Sequence, residues 1–331
     1  MKAIVWTKYG SPEGLQLREV EKPVPKEDEI LVKVHAATVT AGDCEMRRLQ
    51  LPLMLSLPMR VYAGFFRPKR IPILGQELSG EVVEVGKAVS AYQVGDQVFG
   101  TTGFRFGAYA EFICLAGEPN SAQGILAAKP ANLTYAEAAA VPVAGLEALH
   151  FMRAAHIQSG KKVLVIGAGG SIGTYAIQLA KHFGVEVTGV DRPEKLEKLR
   201  AIGADDVIDY TQGDYTLSGE AYDLIIDVVG KSGVSRRLKL LKDGGDYFLA
   251  FASPTNLLLK IWLSLTGGKK LRTESAIQKK EDLEFLSDLI EAGQLRPVID
   301  RELPLAQTVA AHRYAETGAK VGNIVIKFMY R

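Results

Sequence analysis

The sequence predicts an α/β protein in two parts, a doubly wound parallel sheet preceded by a smaller β-rich domain. Three observations carry this. The first 125 or so residues are short β-branched or alternating runs punctuated by Gly, Pro and Asp. Beyond residue 160, apolar strand patterns alternate with amphipathic helical ones, the arrangement of a parallel sheet covered on both faces. One strand runs into a helix through a glycine-rich turn, "VLVIGAGGSIGTYAIQLA".

With 331 residues the chain is long enough to bury two cores. Its net charge of +2 gives no reason to expect a nucleic-acid partner, and the short basic runs at 67–70, 269–270 and 279–280 read as solvated faces. Two cysteines, Cys44 and Cys114, are too few for a disulfide scaffold and too far apart for a structural zinc cluster, so free thiols in a reducing compartment are expected. The start lacks the pattern of a secretory signal. The most apolar region, 49–66, is interrupted by Pro52, Pro58 and Arg60 and falls short of a membrane span. These features lead to the expectation of a cytoplasmic protein with neither a membrane nor a nucleic-acid partner.

Taken in order, "KAIVWTKY", "GLQLREVEKP", "EILVKVHAATV", "ELSGEVVEVG", "DQVFGT" and "AYAEFICLA" are expected strands. From Thr134, a predicted N-cap with Glu137 three residues on, the Ala-rich run to Ala155 has helical spacing. "KKVLVIGA" is a buried strand, "SIGTYAIQLAKHFG" a helix, "VEVTGVD" a strand and "PEKLEKLRAIG" a helix with Pro in its first turn. The alternation continues through "DDVIDY", "YDLIIDVVG", "GVSRRLKLLKDGG" and "DYFLAFAS"; the tail adds two helices and two strands.

In the glycine-rich turn, Ala168, Gly170 and Gly173 form the G-x-G-x-x-G fingerprint with alanine in its first place. Small residues allow the tight turn, Gly170 admits a pyrophosphate to the backbone, and Gly173 lets helix and strand pack closely. The N–H groups of Gly170, Ser171 and Ile172 at the helix start favour an anion. The next strand ends at Asp191, 18 residues after Gly173, where an acid accepts hydrogen bonds from the adenosine ribose. That placement reads as a Rossmann dinucleotide site, NAD(P)H. Asp191 favours NADH, whereas Arg192 and Lys195 offer charge to the 2′-phosphate of NADPH; the sequence leaves both open.

Together with "ILGQELSGEVVEVGKAVSAYQVGDQVFG", "AAAVPVAGLEAL", "LRAIGADDVIDY" and "GAKVGNIVIKF", these segments resemble the medium-chain dehydrogenase/reductase superfamily over essentially the whole chain, and its quinone-oxidoreductase-like branch that works without zinc. The resemblance implies a GroES-like catalytic domain over 1–127, the Rossmann domain over 128–268, and a return segment, 269–331, packing on the first. It also implies a homodimer. The family's catalytic zinc positions fall on Thr40 and Gln76, a hydroxyl and an amide in place of thiolate and imidazole.

Without Lewis-acid polarisation, substrates with their own electron sink are favoured: quinones and α,β-unsaturated carbonyls, small hydrophobic electrophiles that take a hydride and develop charge on an oxygen. A metal-free alcohol dehydrogenase and a dinucleotide-binding redox sensor are the alternatives. Relatives of this branch carry an Asn where this chain has Thr40 and a Tyr where it has Glu45. Thr40 is therefore the first candidate to contact nicotinamide or substrate oxygen, Asp43 a residue that orients the loop, and Tyr62 a candidate proton donor. The 49–66 insertion reads equally as a packed loop or as an apolar cover with Leu53, Met54, Tyr62 and Phe65 lining a pocket. Topology adds further cofactor candidates at strand ends: Val229 and Gly230, then Ala250, Phe251 and Ser253. By resemblance Val143, Gly322 and Asn323 also border the cofactor.

Overall fold

A computed structural model describes residues 1–49, 53–118, 122–230, 233–250 and 254–330. Two units are separated by their contacts, residues 1–143 with 278–331 and residues 144–277.

The first unit begins with an antiparallel pair, β1 (Lys2–Trp6) and β2 (Leu15–Glu19), and continues with β3 (Glu29–Thr38). Two helices follow, α1 (Ala41–Arg48) and α2 (Leu53–Ala63), then β4 (Glu77–Val85), β5 (Gln97–Thr101), β6 (Phe112–Ala116), β7 (Leu126–Ala128) and α3 (Tyr135–Ala139). Helix α4 (Pro142–Ala154) leads into the second unit. There β8 (Lys162–Ile166), α5 (Ser171–His182), β9 (Glu186–Asp191), α6 (Pro193–Ala201), β10 (Asp206–Asp209) and β11 (Tyr222–Asp227) alternate. The short α7 (Val234–Arg237), β12 (Leu241–Leu249), α8 (Pro254–Thr266) and β13 (Lys270–Arg272) complete that unit. The chain then returns to the first unit as α9 (Lys280–Glu291), β14 (Ile299–Pro304), α10 (Thr308–Glu316) and β15 (Asn323–Lys327).

In the second unit six strands lie in the order β10-β9-β8-β11-β12-β13, every neighbouring pair parallel. This is the 3-2-1-4-5-6 order of a Rossmann sheet, and its switch point lies between β8 and β11. Apolar runs such as Val163–Val165 are fully buried, as strands covered on both faces must be. In the first unit the order is β14-β15-β3-β4-β5-β7, with β6 also on β3; β15 joins antiparallel to β3, so the C-terminal segment completes the same sheet. Trp6, Val32, Leu78, Val98 and Ile326 meet in its core.

Two local readings differ from the sequence expectation. The Ala-rich run from Thr134 is two helices, because Pro142 has no N–H to continue the first and serves as the start of the second. Residues 53–63 are a helix despite Pro58, since Leu, Met and Ala are strong helix formers.

Candidate functional site

In the first unit, the loop from β3 to α1 and the start of β4 bring together Thr40, Asp43 and Gln76. Thr40 is the N-cap of α1 in a capping box: its Oγ1 accepts from Asp43 N–H (3.0 Å), and Thr40 N–H donates back to Asp43 Oδ2 (3.1 Å). The same hydroxyl lies 2.7 Å from Asp43 Oδ2 and 2.8 Å from Gln76 Oε1. One hydroxyl proton cannot serve both oxygens. With Asp43 ionised, the proton goes to the carboxylate and the Gln76 amide must turn its NH₂ toward Thr40. With Asp43 protonated, Thr40 is free to donate elsewhere. Gly42 keeps this packing possible, because a Cβ there would run into Gln76 Oε1.

Asp43 is fully buried and also accepts from Gly75 N–H (3.0 Å). Burial pushes its carboxyl up to about 6, opposed by the hydrogen bonds from Thr40 and Gly75. Next along β4, Glu77 is buried and accepts from Thr38 Oγ1 and from Val143 N–H (2.6 Å). Burial raises it to about 7, with the nearby Asp43 charge acting in the same direction and Lys320 against it. Lys320 in turn donates to Gly322 O. Glu77 therefore anchors Val143 and faces the segment that carries Gly322. Sequence reading had not singled out Glu77; its only signal was a carboxylate in an apolar strand.

Gly322 adopts φ +75°, and a Cβ there would run into Val298 O. The buried Asn323 donates to the same carbonyl through its backbone N–H (2.8 Å) and side chain (3.2 Å). Tyr62 lies outside the Thr40 cluster: it is exposed, and its hydroxyl donates to Phe104 O (2.9 Å). Phe65 is exposed as well.

In the second unit, the expected cofactor residues gather at the carboxyl ends of β8, β9 and β11. Gly167 turns at φ +79°, Gly170 caps α5, and at Gly173 a Cβ would lie 2.5 Å from Ala168 O. Ser171 and Ile172 open α5, directly after the Gly170 cap. Asp191 takes Gly169 N–H on Oδ2 (2.7 Å) and Arg192 N–H on Oδ1 (2.9 Å), and Lys195 Nζ lies 3.3 Å from Oδ1. Lys195 is thus buried against Asp191 and compensates its charge. Arg192 Nε donates to Tyr210 Oη (3.1 Å).

Across the switch point, Val229 packs beside the glycine turn: a Cβ on Gly167 would lie 2.8 Å from Val229 Cγ2. The fully buried Asp227 holds that loop. It accepts from Val229 N–H (3.0 Å) and Gly230 N–H (2.9 Å) and is bound by Arg237 (2.7 Å) and the Tyr247 hydroxyl (2.6 Å). Gly230 adopts φ +57°, and Ala250 N–H donates to Asp227 O (3.1 Å). Phe251 and Ser253 lie outside the described residues. Asp227 and Gly169 escaped sequence reading, although Asp227 ends an apolar strand and Gly169 sits within "GAGG".

These residues fit a dinucleotide: a turn of small residues, the amino end of a 12-residue helix and an acid at the end of the second strand. They do not fit a catalytic zinc, because at the family's ligand positions stand a hydroxyl and an amide hydrogen-bonded to each other. Among the described residues, His, Cys, Asp and Glu form no cluster of three or more able to hold a metal ion.

Comparison with known proteins agrees with this architecture. A family model described as "Alcohol dehydrogenase GroES-like domain" matches residues 26–150, and one described as "Zinc-binding dehydrogenase" matches residues 202–326. The 2-methylene-furan-3-one reductase of Solanum lycopersicum is 32% identical over 98% of this chain and 79% of its own length. The chloroplastic NADPH-dependent alkenal/one oxidoreductase of Arabidopsis thaliana is 29% identical over the same shares, 98% and 79%. The solved quinone oxidoreductase of Coxiella burnetii superposes with a TM-score of 0.86 at 29% identity, covering 99% of each chain. A relative this similar along nearly the whole chain, on a fold that pairs a GroES-like domain with a Rossmann sheet, makes this protein a member of the medium-chain dehydrogenase/reductase superfamily.

Proposed function

We propose that this chain is an NAD(P)H-dependent reductase of quinones or α,β-unsaturated carbonyls that works without zinc. The observation that carries the reading is the pairing of Thr40 with Gln76 at the positions where zinc-dependent members place ligands. A hydroxyl and an amide stabilise developing negative charge by donating hydrogen bonds, which suffices for a conjugated substrate with its own electron sink. The similar proteins, among them a 2-methylene-furan-3-one reductase, an alkenal/one oxidoreductase and a quinone oxidoreductase, support the same chemistry.

A dihydronicotinamide dinucleotide, when bound, would supply the hydride. Gly170, Ser171 and Ile172, at the amino end of α5, would border its pyrophosphate, with Gly170 admitting it close to a backbone whose own N–H donates to Gly167 O, and Val229 and Gly230 would border the adenosine side. Thr40 and Gln76 are the donors for a substrate oxygen. Asp43 is a positioning residue: its protonation decides whether the Thr40 hydroxyl points inward or is free to donate.

Asp191 supports use of NADH, since a carboxylate accepts ribose hydroxyls. Its charge is already compensated by Lys195, however, and Arg192 stands beside it for a 2′-phosphate. The reading is therefore that both dinucleotides are used, with NADH preferred. A cytoplasmic homodimer with no nucleic-acid partner completes the proposal.

The test follows absorbance at 340 nm with chelator-treated protein, offering NADH and NADPH separately with an ortho-quinone and an enone. Oxidation of cofactor that survives chelation supports the reductase. Arg192→Ala should lower kcat/KM for NADPH about tenfold while leaving NADH within a few-fold. Cofactor binding without oxidation by either substrate would overturn the reading.

A further inference from the structure

Helix α2 turns several apolar residues outward, although Met59 and Ala63 pack against the core. Leu57, Pro58, Val61 and Tyr62 share one face at helical spacing and are exposed, while Ser56 and Ala63 on the opposite face are buried. A soluble helix normally shows the reverse. The patch continues beyond the helix with Phe65 and Phe66, whose ring centroids lie 4.9 Å apart; Phe66 is 89% exposed. Tyr62 joins it to the exposed Phe104 by the hydrogen bond to that carbonyl.

The patch is set among cations. Arg60 lies over the Tyr9 ring, 4.8 Å from its centroid, and donates to Phe65 O (3.2 Å); Arg70 donates to Val61 O (3.0 Å). Arg67 and Lys69 are exposed beside Phe66. No Asp or Glu occurs between Glu45 and Glu77, so no acid in this segment offsets those charges.

We infer that this face docks on an anionic phospholipid surface. Aromatic and aliphatic side chains flanked by Arg and Lys suit the headgroup boundary, where rings enter the acyl edge and cations meet phosphates. The charge argues against a second copy of the chain on the same patch: a two-fold contact would set four cationic side chains against four others with no acid of the segment between them. The contact is interfacial, since no helix among the described residues is long and apolar enough to cross a membrane.

The experiment is co-sedimentation of the full chain with vesicles of phosphatidylcholine alone and of phosphatidylcholine with about 30% phosphatidylglycerol. Binding should need the anionic lipid and be released between about 0.1 M and 0.5 M salt. Arg67→Gln/Lys69→Gln should weaken partitioning roughly 30-fold, the weight of two interfacial cations, and Phe66→Ser should weaken it at least several-fold. These residues are exposed, so an unchanged melting temperature verifies folding. The paired substitution Leu258→Ser/Leu265→Ser on α8, which also exposes apolar side chains, should leave binding intact.

No binding to anionic vesicles overturns the inference, as does binding undiminished in the α2 variants or equal on neutral vesicles. Self-association abolished by Phe66→Ser, without vesicle binding, would overturn it in favour of a second copy.

Discussion

Replacing Glu77 by Gln isolates the cost of a carboxyl buried beneath the candidate site. Glu77 titrates at about 7 in the fold because burial disfavours its charged form, against an ordinary Glu value of about 4.3–4.5 once unfolded. Between those values the folded protein holds a proton that the unfolded chain has released. Stability from this group is therefore fully present below about pH 4.5, falls as pH rises to about 7, and is flat above. At about 1.4 kcal/mol per tenfold in proton affinity, the loss across the window is about 3 kcal/mol.

Gln keeps a carbonyl oxygen for Val143 N–H and an amide for Thr38 but does not titrate. Its stability relative to the parent should thus rise by about 3 kcal/mol between pH 4.5 and pH 8, whatever its fixed cost. Denaturant unfolding followed by Trp6 fluorescence is suited to this. Trp6 is 1% exposed and shares a core with Leu78 and Val82 of β4, whereas the exposed Trp262 lies in the other unit and is removed by a Trp262→Phe background. A difference that stays constant within about 1 kcal/mol across that range would refute the reasoning, because Glu77 would then ionise as it does in water.

Two further predictions concern the proposed chemistry. Thr40→Ala removes both an N-cap and a donor: stability should fall by about 1 kcal/mol and kcat by about 10², with cofactor affinity unchanged and Thr40→Ser retaining both. Steady-state kinetics with chemical unfolding on the same samples separates the two effects. Gly169→Ala places a Cβ 2.6 Å from Lys195 Cδ and 3.0 Å from Asp191 Oδ2; cofactor affinity in a fluorescence titration should weaken about tenfold or more, equivalent to 1.4 kcal/mol. Unaltered affinity would show that the Asp191–Lys195 arrangement is not needed for binding.

Much of the chain was legible in the sequence because its signals are local. The β8-turn-α5 junction is written in consecutive residues: an apolar strand, small residues where the backbone must turn sharply, and an amphipathic helix. The Thr134 capping box with Glu137 involves atoms only three residues apart. The resemblance to the superfamily places its zinc-ligand positions on Thr40 and Gln76, and the residue types there, a hydroxyl and an amide, already read as poor zinc ligands. None of these conclusions required knowledge of neighbours distant along the chain.

Everything that depends on such neighbours was decided by tertiary structure. That Thr40 and Gln76 share a hydrogen bond is a consequence of β3 and β4 lying side by side. Glu77 and Asp227 read as ordinary acids in sequence; burial among groups 66 and 20 residues away makes each an anchor for a loop. Lys195 could be read as solvated until packing set it against Asp191 at 3.3 Å. The outward apolar residues of α2 were likewise hidden, because apolar composition does not specify which side of a segment meets the core. Desolvation and charge compensation are properties of surroundings, and only the folded chain supplies the surroundings.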